Sequence, residues 1–306
     1  MTSDLLMGQE CNSAEENHPR PGITTILEPV EKDLGGFVVR RLLPAVGRKM
    51  VGPFVFFDHL GPVDFSPGAG IDVRPHPHIG LATVTYLFEG EIVHRYSLGK
   101  QQTIRANEIN LMTAGRGIAH SERTGAELRR QGHRLHALQL WVALPAEQEQ
   151  CEPNFHHYDT NRLPTLEQDG VFLRVLIGAA FGLRSAVVTF SPTLFVEVVL
   201  QKGASLTLPN DIAQRAVYLL SGAAQCQGYR LEPHQMTIFD TDKEVIIKGE
   251  EETRLVLIGG DSIGKRTVWW NLVASDRALI ERAKLDWSEG RFPMVPGETE
   301  FIPLPE

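Results

Sequence analysis

The chain has 306 residues, enough for about two domains of ordinary size. Its 42% hydrophobic and 22% charged content is that of a globular protein and excludes a disordered or fibrous one. A net charge of −8 excludes nucleic-acid binding through charge alone, and no apolar run reaches the roughly 20 residues of a spanning helix, so neither nucleic acid nor membrane is an expected partner.

The opening MTSDLLMGQECNSAEENHPRPG has no apolar stretch behind a basic one, so it does not read as a secretory signal. Residues 1–21 are expected to form a flexible tail. Cys11, Cys151 and Cys226 are odd in number and scattered, which argues against a disulfide framework and for a reducing, cytoplasmic setting. Over residues 22–145, short β-rich pieces alternate with turn residues: GGFVVRRLL, GPFVFFDHL, LATVTYLFEG, EIVHRYSL and HALQLWVALP. Residues 146–165 are polar, contain prolines and lack an apolar period, the pattern of a linker. A second β-rich block over 166–306 includes VFLRVLIG, LFVEVVLQKGASLTLP, RAVYLLSG, MTIFD and TRLVLIGG. A helical period appears only near the end. There Ser275 is placed to cap DRALIERAKLDWSE, Leu279, Ile280, Ala283 and Leu285 with Trp287 make an apolar stripe, and Gly290 stops the helix.

The two β-rich blocks align with one another. With Gly90 set against Gly222, HPHIGLATVTYLFEG falls on LPNDIAQRAVYLLSG without a gap, matching Pro77 with Pro209 and Tyr86 with Tyr218. A repeat of about 130 residues made of strands and turns predicts two similar β-barrels or sandwiches rather than a propeller.

Six of the 11 histidines (His76, His78, His94, His120, His133, His136) fall between positions 76 and 136. In a strand, residues i and i+2 share a face, so His76 aims with His78 and His120 with Glu122. If both pairs face the inside of a barrel, three imidazoles and one carboxylate meet at one point. Such a set leaves coordination positions open, as oxygenase sites do, and fits Fe(II) first, then Ni, Mn, Cu or Zn. Pro77 stiffens the first pair, and Gly115 and Gly117 allow a sharp turn before the second.

RPHPHIGLATVTYLFEG, NLMTAGRGIAHSERT and LQLWVALP, continued by VWWNLV and AKLDWSEGRF, resemble the pirin family of two-domain cupins over roughly residues 22–292. The resemblance implies an all-β fold: two cupin (jelly-roll type) barrels packed together, with a C-terminal helix. It implies a single Fe(II) in the N-terminal barrel, held by His76, His78, His120 and Glu122, with Glu122 also the candidate catalytic residue. It further implies a quercetin 2,3-dioxygenase-type reaction on a flavonol-like phenolic. Pirins that act on protein partners imply the second reading, a metal- or redox-sensing regulatory protein without catalytic activity; a metal-dependent isomerase ranks third. One departure stands out. Many cupins carry a glutamate a few residues after the histidine pair, where this chain reads Ile79-Gly80-Leu81-Ala82-Thr83, with Ala82 at the glutamate's place.

The second block does not repeat the ligands. Leu208 and Asn210 fall against His76 and His78, Ile247 to Gly249 fall near His120 and Glu122, and only His234 remains there. Gly259 to Lys265 spells GxxxxGK, but Arg266 stands where a phosphate loop needs Ser or Thr. His59, His133 and His136 are expected in the core or behind the site, His94 at the pocket mouth, and His156 and His157 in solvent. Arg116 would either meet an anionic substrate or brace its turn through a salt bridge. No GxSxG or Cys–His pattern supports a covalent nucleophile.

Overall fold

A computed structural model describes residues 22–34 and 36–305; the expected tail, residues 1–21, lies outside the described residues. The architecture is all-β and doubled. One seven-stranded sheet runs in the order Asn154–Tyr158, Ile109–Thr113, Leu81–Glu89, His133–Ala143, Phe54–Phe65, Val38–Leu43, Val30–Asp33. The other runs Ile23–Leu27, Met236–Phe239, Gln214–Ser221, Thr253–Gly260, Thr193–Leu200, Val171–Ile177, Thr165–Gln168. Leu81–Glu89 and Gln214–Ser221 hold the same third place in their sheets, which is where the internal alignment put them. Each large sheet is paired with a four-stranded sheet: Asp72–His78, Ile118–Arg123, Glu91–Tyr96, Lys100–Arg105 in the first half, and Ser205–Thr207, Ile246–Gly249, Ala224–Cys226, Tyr229–Leu231 in the second.

The side chains of each large sheet divide by period 2. Along Leu81–Glu89, Ala82, Val84, Tyr86 and Phe88 join one buried cluster with Phe195, Tyr218, Met236 and Ile258, so this face meets the other barrel. Leu81 and Leu87 point the other way, into their own barrel. The second barrel is filled by Leu173, Val175, Val196, Val198, Leu219 and Leu257. Two polar networks cross the apolar seam. Tyr86 donates to Glu197 (2.6 Å), which also takes Arg174 (3.0 Å). His59 bonds Tyr218 through Nδ1 and His136 through Nε2, both at 2.8 Å.

Local expectations need three corrections. The linker region 146–165 contains the strand Asn154–Tyr158, whose backbone pairs with Ile109–Thr113; its mixed polarity reflects an edge position. The first strand, Ile23–Leu27, pairs with Met236–Phe239 in the opposite half. The helix spans Arg277–Ser288 and its cap is Asp276, which accepts from the Ala278 N–H. Ser275 instead donates its hydroxyl to Glu149 (2.7 Å), and Leu285 is 51% exposed, so the buried stripe reduces to Ile280 and Ala283 with Leu279 partly covered. As expected, the GxxxxGK segment leads into the strand Thr267–Trp269, not a helix, and Arg266 is tied to Glu149 at 2.9 Å.

Candidate metal centre

Asp72–His78 and Ile118–Arg123 run antiparallel with His120 directly opposite His76. The register then shifts, setting Glu122 opposite Val73, so that Val73, His76, His78 and Glu122 all line one cavity. The turn before His120 needs glycine: Gly115 has φ of +51°, and a Cβ there would collide with the Cys151 carbonyl.

The ligating atoms of His76, His78 and His120 lie within 4.8 Å of one another, and the Nε2 atoms of His78 and His120 are 3.1 Å apart. His76 Nδ1 is 2.9 Å from the Arg74 carbonyl and His78 Nδ1 is 3.0 Å from that of Asn271. A carbonyl can only accept, so both rings carry their proton on Nδ1 and turn an Nε2 lone pair inward. Burial pushes His76 down to about 4, and His78 and His120 well below the usual histidine value, with neighbouring imidazoles adding to the effect. Burial alone pushes Glu122 up to about 7. Neutral imidazoles with convergent lone pairs, next to a carboxylate that lacks a cation, are a donor set suited to a divalent metal. Arg41 lines the same cavity but is committed to Asp58 through two hydrogen bonds of 2.8 and 2.7 Å.

Glu122 sits to one side of the histidine trio. With His94 and His120 it forms a second group within 4.8 Å, and His120 is common to both groups. His94, expected at the pocket mouth, is buried; its Nδ1 bonds the Tyr96 hydroxyl (2.8 Å) and its Nε2 stands 3.8 Å from Glu122. Gln139 Nε2 donates to Glu122 at 3.3 Å, a contact that period and motif did not reveal. The other histidines lie elsewhere. His59, His136 and His234 cluster at the seam between barrels, and His133 stacks on Phe65. His156 is exposed, whereas His157 is half-buried and bonds Asn110 at 2.8 Å. Arg116 pairs with Glu152, the turn brace.

The cavity holds about 380 Å³ and is walled by Phe37, Val39, Ile71, Ile92 and Trp141, with Ile302 of the C-terminal segment closing part of it. Ala82 does not face it. That residue belongs to the seam between barrels, so the inward position nearest the expected glutamate is Thr83, which shares its face with Leu81 and Thr85. In the second barrel, Leu208 and Ile247 are buried in the apolar core. The residue aligned with Thr83 there is Arg215, fully buried, which donates to the carbonyls of Pro209 (2.5 Å), Asp240 (2.9 Å) and Lys243.

Two packed barrels, one with a histidine-lined cavity and one filled, define a bicupin whose candidate metal site, among the described residues, lies in the first barrel. The chain belongs to the pirin family: the Pirin model matches residues 36–142 and the Pirin C-terminal cupin domain model residues 195–293. A Caulobacter vibrioides pirin-like protein is 45% identical over 288 residues, covering 93% of this chain and all of that one. A pirin-like protein of Arabidopsis thaliana is 32% identical, with 94% and 89% covered. Among solved structures, a quercetin 2,3-dioxygenase from Acinetobacter baumannii is similar at a TM-score of 0.85 and 34% identity, covering 92% of this chain and 95% of that one.

Proposed function

We propose that the chain is a mononuclear non-haem iron oxygenase of the quercetin 2,3-dioxygenase type, working in the cytoplasm on a flavonol-like phenolic. The observation that carries the proposal is the roomy, largely apolar cavity that opens onto His76, His78 and Glu122, since a purely sensory site has no need of space for a planar ligand. Similarity to a quercetin 2,3-dioxygenase supports the substrate class. His76, His78, His120 and Glu122 would hold the metal, and Fe(II) is the first choice among Fe, Ni, Mn, Cu and Zn for imidazole with carboxylate. When bound, the metal supplies a Lewis-acid centre for the substrate's phenolic oxygen and for dioxygen.

The protein's part follows from its own groups. Trp141 and Phe56, stacked at 4.0 Å, with Phe37 and Ile92, exclude water and grip a flat ring. Glu122 is the carboxylate at the metal end and takes the proton of the phenolic hydroxyl; Asp58 is engaged by Arg41 and does not compete. Aerobic incubation of iron-loaded protein with quercetin, following flavonol absorbance and oxygen uptake together, tests the proposal. Both signals should fall in step, and Glu122→Gln should slow them by about 10²–10⁴-fold, the usual worth of a positioned base. No oxygen uptake at full iron occupancy with several flavonols would sink the oxygenase and leave the partner-binding sensor as the better account.

A further inference from the structure

A continuous polar row crosses the wall of the first barrel. Residues directly opposite one another on six adjacent strands are Arg41, Asp58, Gln139, Thr85, Asn110 and His157. On its own strand Gln139 stands between Ala137 and Trp141, both buried, and Thr85 is 3% exposed. Buried amides and hydroxyls are costly unless each is satisfied, so a row of them in a core calls for a reason.

The bonds along the row have a direction. Thr85 donates its hydroxyl proton to Gln139 Oε1 at 2.6 Å. The carboxylate only accepts and so takes the amide by Nε2, which leaves Oε1 to the Thr85 hydroxyl and ties the amide at both ends. Among the described residues Gln139 is the hydrogen-bond donor to Glu122, since His94 stands off at 3.8 Å. Glu122 also follows a register shift, so ladder geometry alone does not set its aim.

We propose that Thr85 and Gln139 form a fixed arm that aims the Glu122 carboxylate at the metal position. They are positioning residues acting through Glu122, and the proposal rests on the metal-centre reading above. Without the Thr85 hydroxyl, Gln139 Oε1 loses its donor, and the amide that bonds Glu122 is anchored at one end only. Groups that hold a ligand in this way are typically worth about 10–100-fold in metal affinity.

The test is Ni(II) binding to chelator-stripped full-length protein, by calorimetry and by the visible ligand-field spectrum. Thr85→Val, which keeps the shape and removes the hydroxyl, should weaken Ni(II) about 10–100-fold and shift the spectrum. Thr85→Ser should restore both, and Gln139→Met should match Thr85→Val. In a Glu122→Ala background, where three histidines still hold Ni(II) weakly, Thr85→Val should have no further effect. Native affinity and spectrum in a folded Thr85→Val protein would overturn the proposal. So would a loss that persists undiminished without Glu122, which would mean the hydroxyl serves the barrel and not the ligand. If the native chain binds no Ni(II) or Fe(II), the metal centre itself falls and the arm with it.

Discussion

Replacing Glu122 with glutamine separates the cost of the buried carboxylate from its use. In the metal-free protein, burial raises this carboxyl from 4.5 to about 7, and its side chain is only 15% exposed. A raised acid contributes stability that is fully present below its unfolded value and is lost as pH rises through its folded value. The loss over the window from about 4.5 to 7 is worth about 3 kcal/mol. Metal-free Glu122→Gln should therefore match the native chain at pH 4.5 and exceed it by about 2–3 kcal/mol at pH 8. Urea unfolding of chelator-treated protein at the two pH values measures this. If Glu122 ligates the metal as proposed, the sign reverses: the cation must displace its proton below about pH 7, so native affinity should climb about tenfold per pH unit up to that point and flatten above it. The histidines do not set this break, because His76 is already pushed down to about 4 and the other two lie well below the usual range. An affinity that instead breaks near 6.5, the value of free histidine, and does so equally in Glu122→Gln, would refute the assignment of the pH dependence to this carboxylate.

Metal content should follow the trio: His76→Ala or His120→Ala should lose metal by elemental analysis, while His234→Ala, at the seam between barrels, should retain it. Supplying the missing glutamate as Ala82→Glu should lower the melting temperature and leave turnover unimproved, since it buries an unpaired carboxylate among Val84, Leu140 and Ile258 at a cost of several kcal/mol. Thr83→Glu is the substitution that directs a carboxylate inward, so a rise in flavonol turnover for Ala82→Glu but not for Thr83→Glu would contradict the facing of this strand.

The meeting of His76 and His78 with His120 was legible in the chain because same-face aim depends only on the two-residue period of a strand, and the doubled barrel because its halves retain Tyr86 and Tyr218 in equivalent strands. What escaped was whatever depends on which strand lies beside which. His94 meets Glu122 by cross-strand register, and Gln139 reaches it from a strand 17 positions on. No local pattern marks either. The same holds for Ile23–Leu27, whose partner strand begins at Met236, and for Ile302, which reaches the cavity wall from the last turn of the chain. Ala82 was misplaced for a subtler reason. Spacing from the histidine pair counts residues but not faces, and the strand's inward residues are Leu81, Thr83 and Thr85, on either side of Ala82.

Arg215 gives the molecule an asymmetry in what each half must acquire. In the second barrel a guanidinium is threaded to the place aligned with the metal end of the first, and it ties three loop carbonyls together. Its positive charge arrives with translation, so that half is complete as soon as it folds. The first barrel instead keeps lone pairs and a carboxylate facing one another, and among the described residues the neutral Gln139 amide, with no positive charge, is the hydrogen-bond donor to that carboxylate. Its loops gain an equivalent clasp only from an ion taken out of solution. Starving the protein of metal should thus slacken one half while leaving its twin taut, and the seam of Tyr86, Glu197 and Arg174 is where that difference in tension is felt.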